Sequence, residues 1–271
     1  MKQFLTLNDL QNFDAQVALA KEIKANPYQY EELGKRKTLG LLFFNPSLRT
    51  RLSTQKAGRL LGMDVMVMNF SNEAWAIEYE DKTIMEGLRS EHVKEATQVV
   101  SQYCDVVGIR AFATLTDKEK DESEQVLQKF IQYASVPILN MESATAHPLQ
   151  ALADALTLTE LSLPKKPKVV LTWAPHPKAL PHAVGNSFAR MMEHQDADFV
   201  IANPEGYDLD PCITKDIPVV HNQAEALKGA DVVYAKNWSS YDSYGQILRT
   251  DNEWMLTPEK MAEYSKLIAS L

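Results

Sequence analysis

Short apolar runs alternate with amphipathic helical patterns along almost the whole of this chain, and that alternation leaves few folds open to it. Thr38–Phe44, Asp64–Asn69, Val106–Arg110 and Val136–Met141 read as strands, separated by helical stretches at Leu48–Leu61, Val93–Tyr103 and Glu122–Ala134. Lys168–Trp173, Asp198–Ala202 and Val232–Ala235 repeat the pattern, with helices at Val184–His194 and Gln223–Leu227. Strands that alternate with helices favour parallel sheets covered on both faces. The expected class is therefore α/β, with two doubly wound parallel-sheet domains. At 271 residues the chain is long enough for two cores. A helix from Pro148 to about Leu161 is expected to join them, because proline at the first helical position sacrifices no hydrogen bond. Pro164 and Pro167 then flank a lysine pair. The expected division is 1–147, a linking helix 148–163, and 164–271.

In such folds ligands sit beyond the carboxyl ends of the strands. Polar candidates recur there: Ser47 after the first run, Arg110 at the end of the third, Glu142 and His147 after the fourth. Trp173-Ala174-Pro175-His176 and Lys236-Asn237-Trp238 follow two strands of the second half. Their common rim suggests a cleft between two domains.

Ser47-Leu48-Arg49-Thr50-Arg51 carries the most chemistry. Two arginines in the first turn of a helix face the positive end of its dipole, where cations cost stability. No acidic residue lies between Phe43 and Met63 to compensate. A bound anion, with phosphate the natural candidate, would resolve the conflict through backbone N–H groups, the Ser47 and Thr50 hydroxyls and a guanidinium. The ordinary alternative is a serine N-cap with two solvated arginines. Arg49 and Arg51 are two residues apart, so both cannot point at one ligand.

Arg110 ends Asp105-Val106-Val107-Gly108-Ile109-Arg110, where it is either a snorkelling strand-end charge or a second cation for an anion or oxyanion. His147-Pro148-Leu149-Gln150 sets two hydrogen-bonding side chains at a helix start, a pairing suited to a carbamoyl group; simple capping is the competing reading. Trp75, in the polar Ser71–Ala76 loop, suits a subunit interface or a ligand lid. Glu142 and Lys236 carry opposite charges able to read an amino acid's ammonium and carboxylate, or else form rim ion pairs worth little. Pro175, Pro177 and Pro181 stiffen the loop holding His176 and His182. No carboxylate or cysteine joins those histidines at ligand spacing, so no metal is expected.

A net charge of −8 without a basic cluster argues against nucleic acid. No apolar stretch approaches a membrane span of roughly 20 residues. The N-terminal residues lack the apolar core of a signal peptide. Cys104 and Cys212 are too few for a disulfide framework or a zinc site. The expectation is a soluble, cytoplasmic protein.

Taken in order and at their spacing, Ser47–Arg51, Arg110 and His147–Gln150 resemble the carbamoyl-phosphate motifs of the aspartate and ornithine carbamoyltransferase family. Trp75, Met141-Glu142-Ser143-Ala144, Trp173–Pro177 and Ala235–Trp238 look like the branch that acts on N-acylated ornithine. The resemblance covers residues 1 to about 262. It implies carbamoyl transfer from carbamoyl phosphate to the δ-amine of N-succinylornithine or N-acetylornithine in arginine biosynthesis. It also implies a homotrimer without metal or organic cofactor, in which Trp75 reaches the neighbouring subunit's site. By resemblance, Ser47, Leu48, Arg49 and Thr50 hold the phosphate, and Arg110, His147 and Gln150 grip the carbamoyl moiety. Thr50, Arg110 and His147 would stabilise the oxyanion, and Glu142, His176 and Lys236 would bind the acylornithine. Residues 1–147 would then be the carbamoyl-phosphate domain and 164–271 the acylornithine domain, with the proline-bearing loop and Lys236–Leu248 looking like parts of this branch's knotted second domain.

In that branch the position corresponding to Ser90 faces the acyl end. A small neutral residue there goes with succinyl, because a carboxylate would repel succinate's free carboxylate. Ser90 favours succinyl, although the adjacent Glu91 would reverse the argument in a slipped register. The family's His-Cys-Leu-Pro segment does not occur in the sequence, so the second domain is expected to be incomplete. A non-catalytic carbamoyl-phosphate-binding relative is therefore the alternative to an active enzyme.

Overall fold

A computed structural model describes residues 3–70, 73, 76–83 and 89–264. They fall into two compact units: Met1–Ala113 with Glu119–Leu149, and Thr114–Lys118 with Gln150–Leu271. The first contains β1 (Gln3–Phe4), α1 (Phe13–Ala25), β2 (Thr38–Phe43), α2 (Arg49–Leu60), β3 (Asp64–Asn69), β4 (Ala76–Glu78), β5 (Arg89–His92), α3 (Val93–Tyr103) and β6 (Val106–Arg110). After a short α4 (Lys118–Glu122) come α5 (Gln125–Tyr133) and β7 (Ile138–Glu142). The helix α6 (Pro148–Glu160) enters the second unit at Gln150, and that unit also contains β8 (Lys168–Trp173), α7 (Ala183–Met192), β9 (Asp198–Ala202), α8 (Pro211–Thr214), β10 (Val219–Val220), α9 (Gln223–Leu227), β11 (Val232–Lys236) and α10 (Pro258–Tyr264).

Every strand pairing is parallel. The first sheet runs β1-β7-β6-β2-β3 and the second β10-β9-β8-β11, with β4 and β5 as a small separate pair. The side-chain period of two divides the first core. Leu39, Leu41 and Phe43 pack with Met141 on one face, while Leu42, Val107, Ile109 and Ile138 meet Val93, Val100, Leu127 and Phe130 on the other. Gly108 allows that closeness, since a Cβ there would lie 2.8 Å from Met141 Sδ. Two-sided burial is why these strands read as continuous apolar runs.

Strand order reverses between β2 and β6 in the first sheet and between β8 and β11 in the second. Those are the crevices where doubly wound sheets take ligands. Ser47 follows β2, Arg110 ends β6, Trp173 ends β8 and Lys236 ends β11. The helix expected over Glu122–Ala134 starts only at Gln125, because Glu124 adopts a left-handed conformation with φ 53°. The fourth strand, expected at Val136–Met141, runs from Ile138 to Glu142.

Candidate functional site

The first rim is built around Arg110. The residue lies 6% exposed at the end of β6. Nη1 donates to the carbonyls of Pro46 at 2.8 Å and Asn45 at 3.3 Å, while Nη2 donates to Glu142 Oε2 at 3.1 Å. The guanidinium also lies 4.0 Å from the Phe112 ring centroid. Asn45 Oδ1 accepts from the Phe112 N–H at 2.6 Å, so the turn after β2 is sewn to the end of β6 from both sides. Burial lowers the pKa of Arg110 and Glu142 opposes the change. A guanidinium stays charged under such pressure. Its Nε–H is buried without an acceptor among the described residues, the kind of orphan donor that a ligand oxygen satisfies.

That sewn turn leads into α2. Ser47 Oγ accepts from the Thr50 N–H at 3.2 Å, and Leu48 occupies the N-cap position. The first turn holds no acidic residue, so its remaining N–H groups and dipole end are uncompensated. The two arginines diverge as their spacing requires. Arg51 bonds Asn69 Oδ1 and lies 4.7 Å from the Phe43 ring centroid, whereas Arg49 is exposed.

Glu142 is buried, and its Oε2 lies 3.6 Å from His147 Nε2 as well as beside Arg110. One carboxylate oxygen thus steadies both a guanidinium and an imidazole. Its backbone sits at φ 152°, a strained value for a residue with a side chain. The register of β6 and β7 shifts there, so Glu142 rather than Met141 faces Arg110. Asn140, fully buried, maintains that bulge: its Oδ1 accepts from the Glu142 N–H at 2.9 Å, and its Nδ2 donates to Leu5 O and Ser143 Oγ, each at 2.9 Å. Glu124 holds the next loop, accepting from the Thr145 N–H at 2.8 Å and from Ser143 Oγ at 2.7 Å. Sequence reasoning missed Asn45, Asn140 and Glu124. Only Asn140 left a trace, as a polar residue inside an apolar strand.

The second unit's rim is mostly neutral. Trp173 Nε1 donates to Trp238 O at 2.8 Å, Trp238 Nε1 to Tyr207 O at 2.6 Å, and Asn237 Nδ2 to Ala174 O at 2.7 Å. These bonds lock the segments after β8 and β11 together. Lys236 is half-buried at the end of β11. His176 is exposed, its Nδ1 accepting from the Lys178 N–H at 3.0 Å. His182 is buried in its own loop, with Nε2 2.7 Å from Ser239 O. Gln150, in the first turn of α6, donates from Nε2 to Asp154 Oδ1 at 2.7 Å.

Ser90 is exposed on β5, at the irregularity where Arg89 pairs Ala76 and Glu91 pairs Ile77. Trp75 lies outside the described residues. Among the described residues no three His, Cys, Asp or Glu side chains cluster to hold a metal, and no helix is long and apolar enough to cross a membrane.

Residues 2–160 match a family model described as aspartate/ornithine carbamoyltransferase, carbamoyl-P binding domain. N-succinylornithine carbamoyltransferase of Bacteroides thetaiotaomicron is 48% identical over 264 residues, spanning 97% of this chain and 83% of that protein. N-acetylornithine carbamoyltransferase of Xanthomonas campestris pv. campestris is 37% identical over 262 residues, spanning 90% and 76%. Among solved structures, a variant N-acetyl-L-ornithine transcarbamylase complexed with carbamyl phosphate and N-succinyl-L-norvaline superposes with a TM-score of 0.84 at 36% identity, covering 97% of this chain and 82% of that one.

Proposed function

This chain belongs to the aspartate/ornithine carbamoyltransferase family, and from that premise we propose that it transfers the carbamoyl group of carbamoyl phosphate to the δ-amine of N-succinylornithine in arginine biosynthesis. The observation that carries the reading is the first unit's rim. There a buried guanidinium with an orphan N–H is tied to the turn that opens an uncompensated helix N-terminus. Such a rim is built for an anion that carries a polarised carbonyl.

The chemistry follows from those groups. The uncharged δ-amine attacks the carbamoyl carbon, forming a C–N bond and a tetrahedral oxyanion. The C–O bond to phosphate then breaks, and the departing phosphate takes the amine proton. Ser47, Leu48, Arg49 and Thr50 hold the phosphate through backbone N–H groups, hydroxyls and a guanidinium. Arg110, His147 and Thr50 stabilise the oxyanion. Gln150 holds the carbamoyl NH₂, and Lys236, His176 and Glu142 serve the acceptor. Glu142 acts in large part by keeping Arg110 and His147 in place. Holding two small substrates in register supplies much of the remaining acceleration.

Succinyl is favoured over acetyl because the relatives that carry the succinyl name are 47–48% identical, against 37% for an acetyl relative. An uncharged Ser90 at the exposed bulge agrees with that choice. Leu48 and Leu52, one helical turn apart and 72% and 60% exposed, support a homotrimer whose neighbour covers them and whose Trp75 reaches across. A cytoplasmic location belongs to the same reading.

The test is a carbamoylation assay with carbamoyl phosphate and, in parallel, N-succinylornithine, N-acetylornithine and ornithine. Product with N-succinylornithine foremost is expected. Preference for the acetyl substrate overturns the acyl assignment. Binding of carbamoyl phosphate without product from any acceptor favours the non-catalytic alternative.

A further inference from the structure

Asp154 stands where a helix would ordinarily carry a leucine. The buried stripe of α6 is Ala151, Asp154, Ala155 and Leu158, the spacing of a core-facing helical face. The carboxylate is 2% exposed, and its Oδ2 has no hydrogen-bond partner among the described residues. Burying a charge this way is costly without compensation. What the carboxylate does make is the 2.7 Å bond from Gln150 Nε2, with the Tyr234 hydroxyl of β11 as its other partner.

An ionised carboxylate only accepts hydrogen bonds, so it dictates which end of an amide faces it. We infer that Asp154 is a positioning residue that orients the Gln150 side chain, turning its carbonyl Oε1 away from Asp154 to accept from the carbamoyl NH₂. The inference rests on the carbamoyltransferase reading and assigns that reading a further residue. It also predicts a switch. A protonated Asp154 can donate to Oε1 and let the amide turn over, which offers a donor where the ligand needs an acceptor. Burial raises the Asp154 pKa to about 6, while Gln150 and Tyr234 pull the other way; no charged side chain among the described residues acts on it.

The experiment measures affinities of wild type and Asp154→Asn for carbamoyl phosphate and for inorganic phosphate between pH 5 and pH 8.5. Phosphate has no amide to read, so the ratio of the two affinities isolates the Gln150 contact from any general loosening. Wild type is expected to lose carbamoyl phosphate affinity relative to phosphate as pH falls through about 6. Asp154→Asn, which can present either end to Gln150 at any pH, is expected to bind carbamoyl phosphate roughly 10-fold more weakly at pH 8. Its phosphate affinity at pH 8 should be kept, and the wild-type step near pH 6 should be missing from its ratio. The ligands' own protons titrate alike against both proteins, so the step is read from the difference between wild type and variant.

Equal losses for both ligands, or an unchanged step near pH 6 in the variant, overturn the inference while leaving the function standing. Failure of wild type to bind either ligand overturns both. Should Asp154→Asn not fold, Gln150→Leu serves instead: loss of the wild-type step near pH 6 supports the inference and a surviving step overturns it.

Discussion

The two switch-point rims solve different problems with different residues. In the first unit, Arg110, Glu142 and His147 are 6%, 8% and 9% exposed, and their ionisable groups hold one another at the strand ends. In the second, the corresponding strand ends are closed by two indoles and an amide, Trp173, Trp238 and Asn237, through neutral hydrogen bonds to backbone carbonyls. Buried charges need partners in strict geometry and give little net stability. Buried indoles give packing and stability but little field. The first rim is therefore arranged for electrostatic work on an anion and the second for holding loops in shape. Asp154 is the exception, a buried carboxylate in the second unit without a countercharge among the described residues.

Arg110→Ala tests this contrast hardest. Losing an oxyanion donor is expected to lower turnover by roughly 10²-fold or more, and taking the guanidinium from the buried Glu142 carboxylate to cost up to about 3 kcal/mol, since His147 stays beside it. Steady-state kinetics and urea unfolding read the two effects; turnover near the wild-type value would remove Arg110 from the chemistry. Trp238→Ala is next, with about 3–5 kcal/mol lost through the cavity and the vacated bond to Tyr207. A shift of the urea midpoint smaller than a third of that would mean that the second rim is not held by its indoles.

Asp154→Asn should act in the opposite direction on stability. The folded-state pKa of about 6 exceeds the ordinary value of 3.8, so folding favours the protonated acid. That stability is present below about pH 4 and is lost as pH rises through 6. Removing the charge should then stabilise the protein by up to about 3 kcal/mol at pH 8 and by nothing at pH 4. Thermal melts at both values check the sign. Smallest is Ser47→Ala, expected to cost about 1 kcal/mol through the lost bond to the Thr50 N–H. A larger drop in phosphate affinity than in stability would show that Ser47 also serves the ligand.

Much of the sheet was legible because its strands are buried on both faces. Asp64–Asn69, Val106–Arg110, Lys168–Trp173 and Asp198–Ala202 have the bounds that the apolar runs suggest. The short pieces were not legible. Gln3–Phe4 joins β7, Val219–Val220 joins β9, and β4 pairs β5 over segments with little apolar pattern, since two or three residues carry no periodicity to read. The late start of α5 depends on Glu124, whose left-handed backbone accompanies hydrogen bonds to a loop about 20 residues away.

The same division runs through the candidate site. Local order alone determined the alternation of strand and helix, the divergence of Arg49 and Arg51, and the gathering of polar residues at strand ends, because each depends on periods of two and 3.6 within one segment. Tertiary structure decided that Asn140 forces a bulge, that Glu142 thereby meets Arg110 and His147, and that Asp154 sits behind Gln150 on the buried face of α6. A hydrogen bond between residues 32 or 65 positions apart, as Arg110 makes to Glu142 and Asn45, leaves no periodic trace in the chain and exists only once the strands have paired.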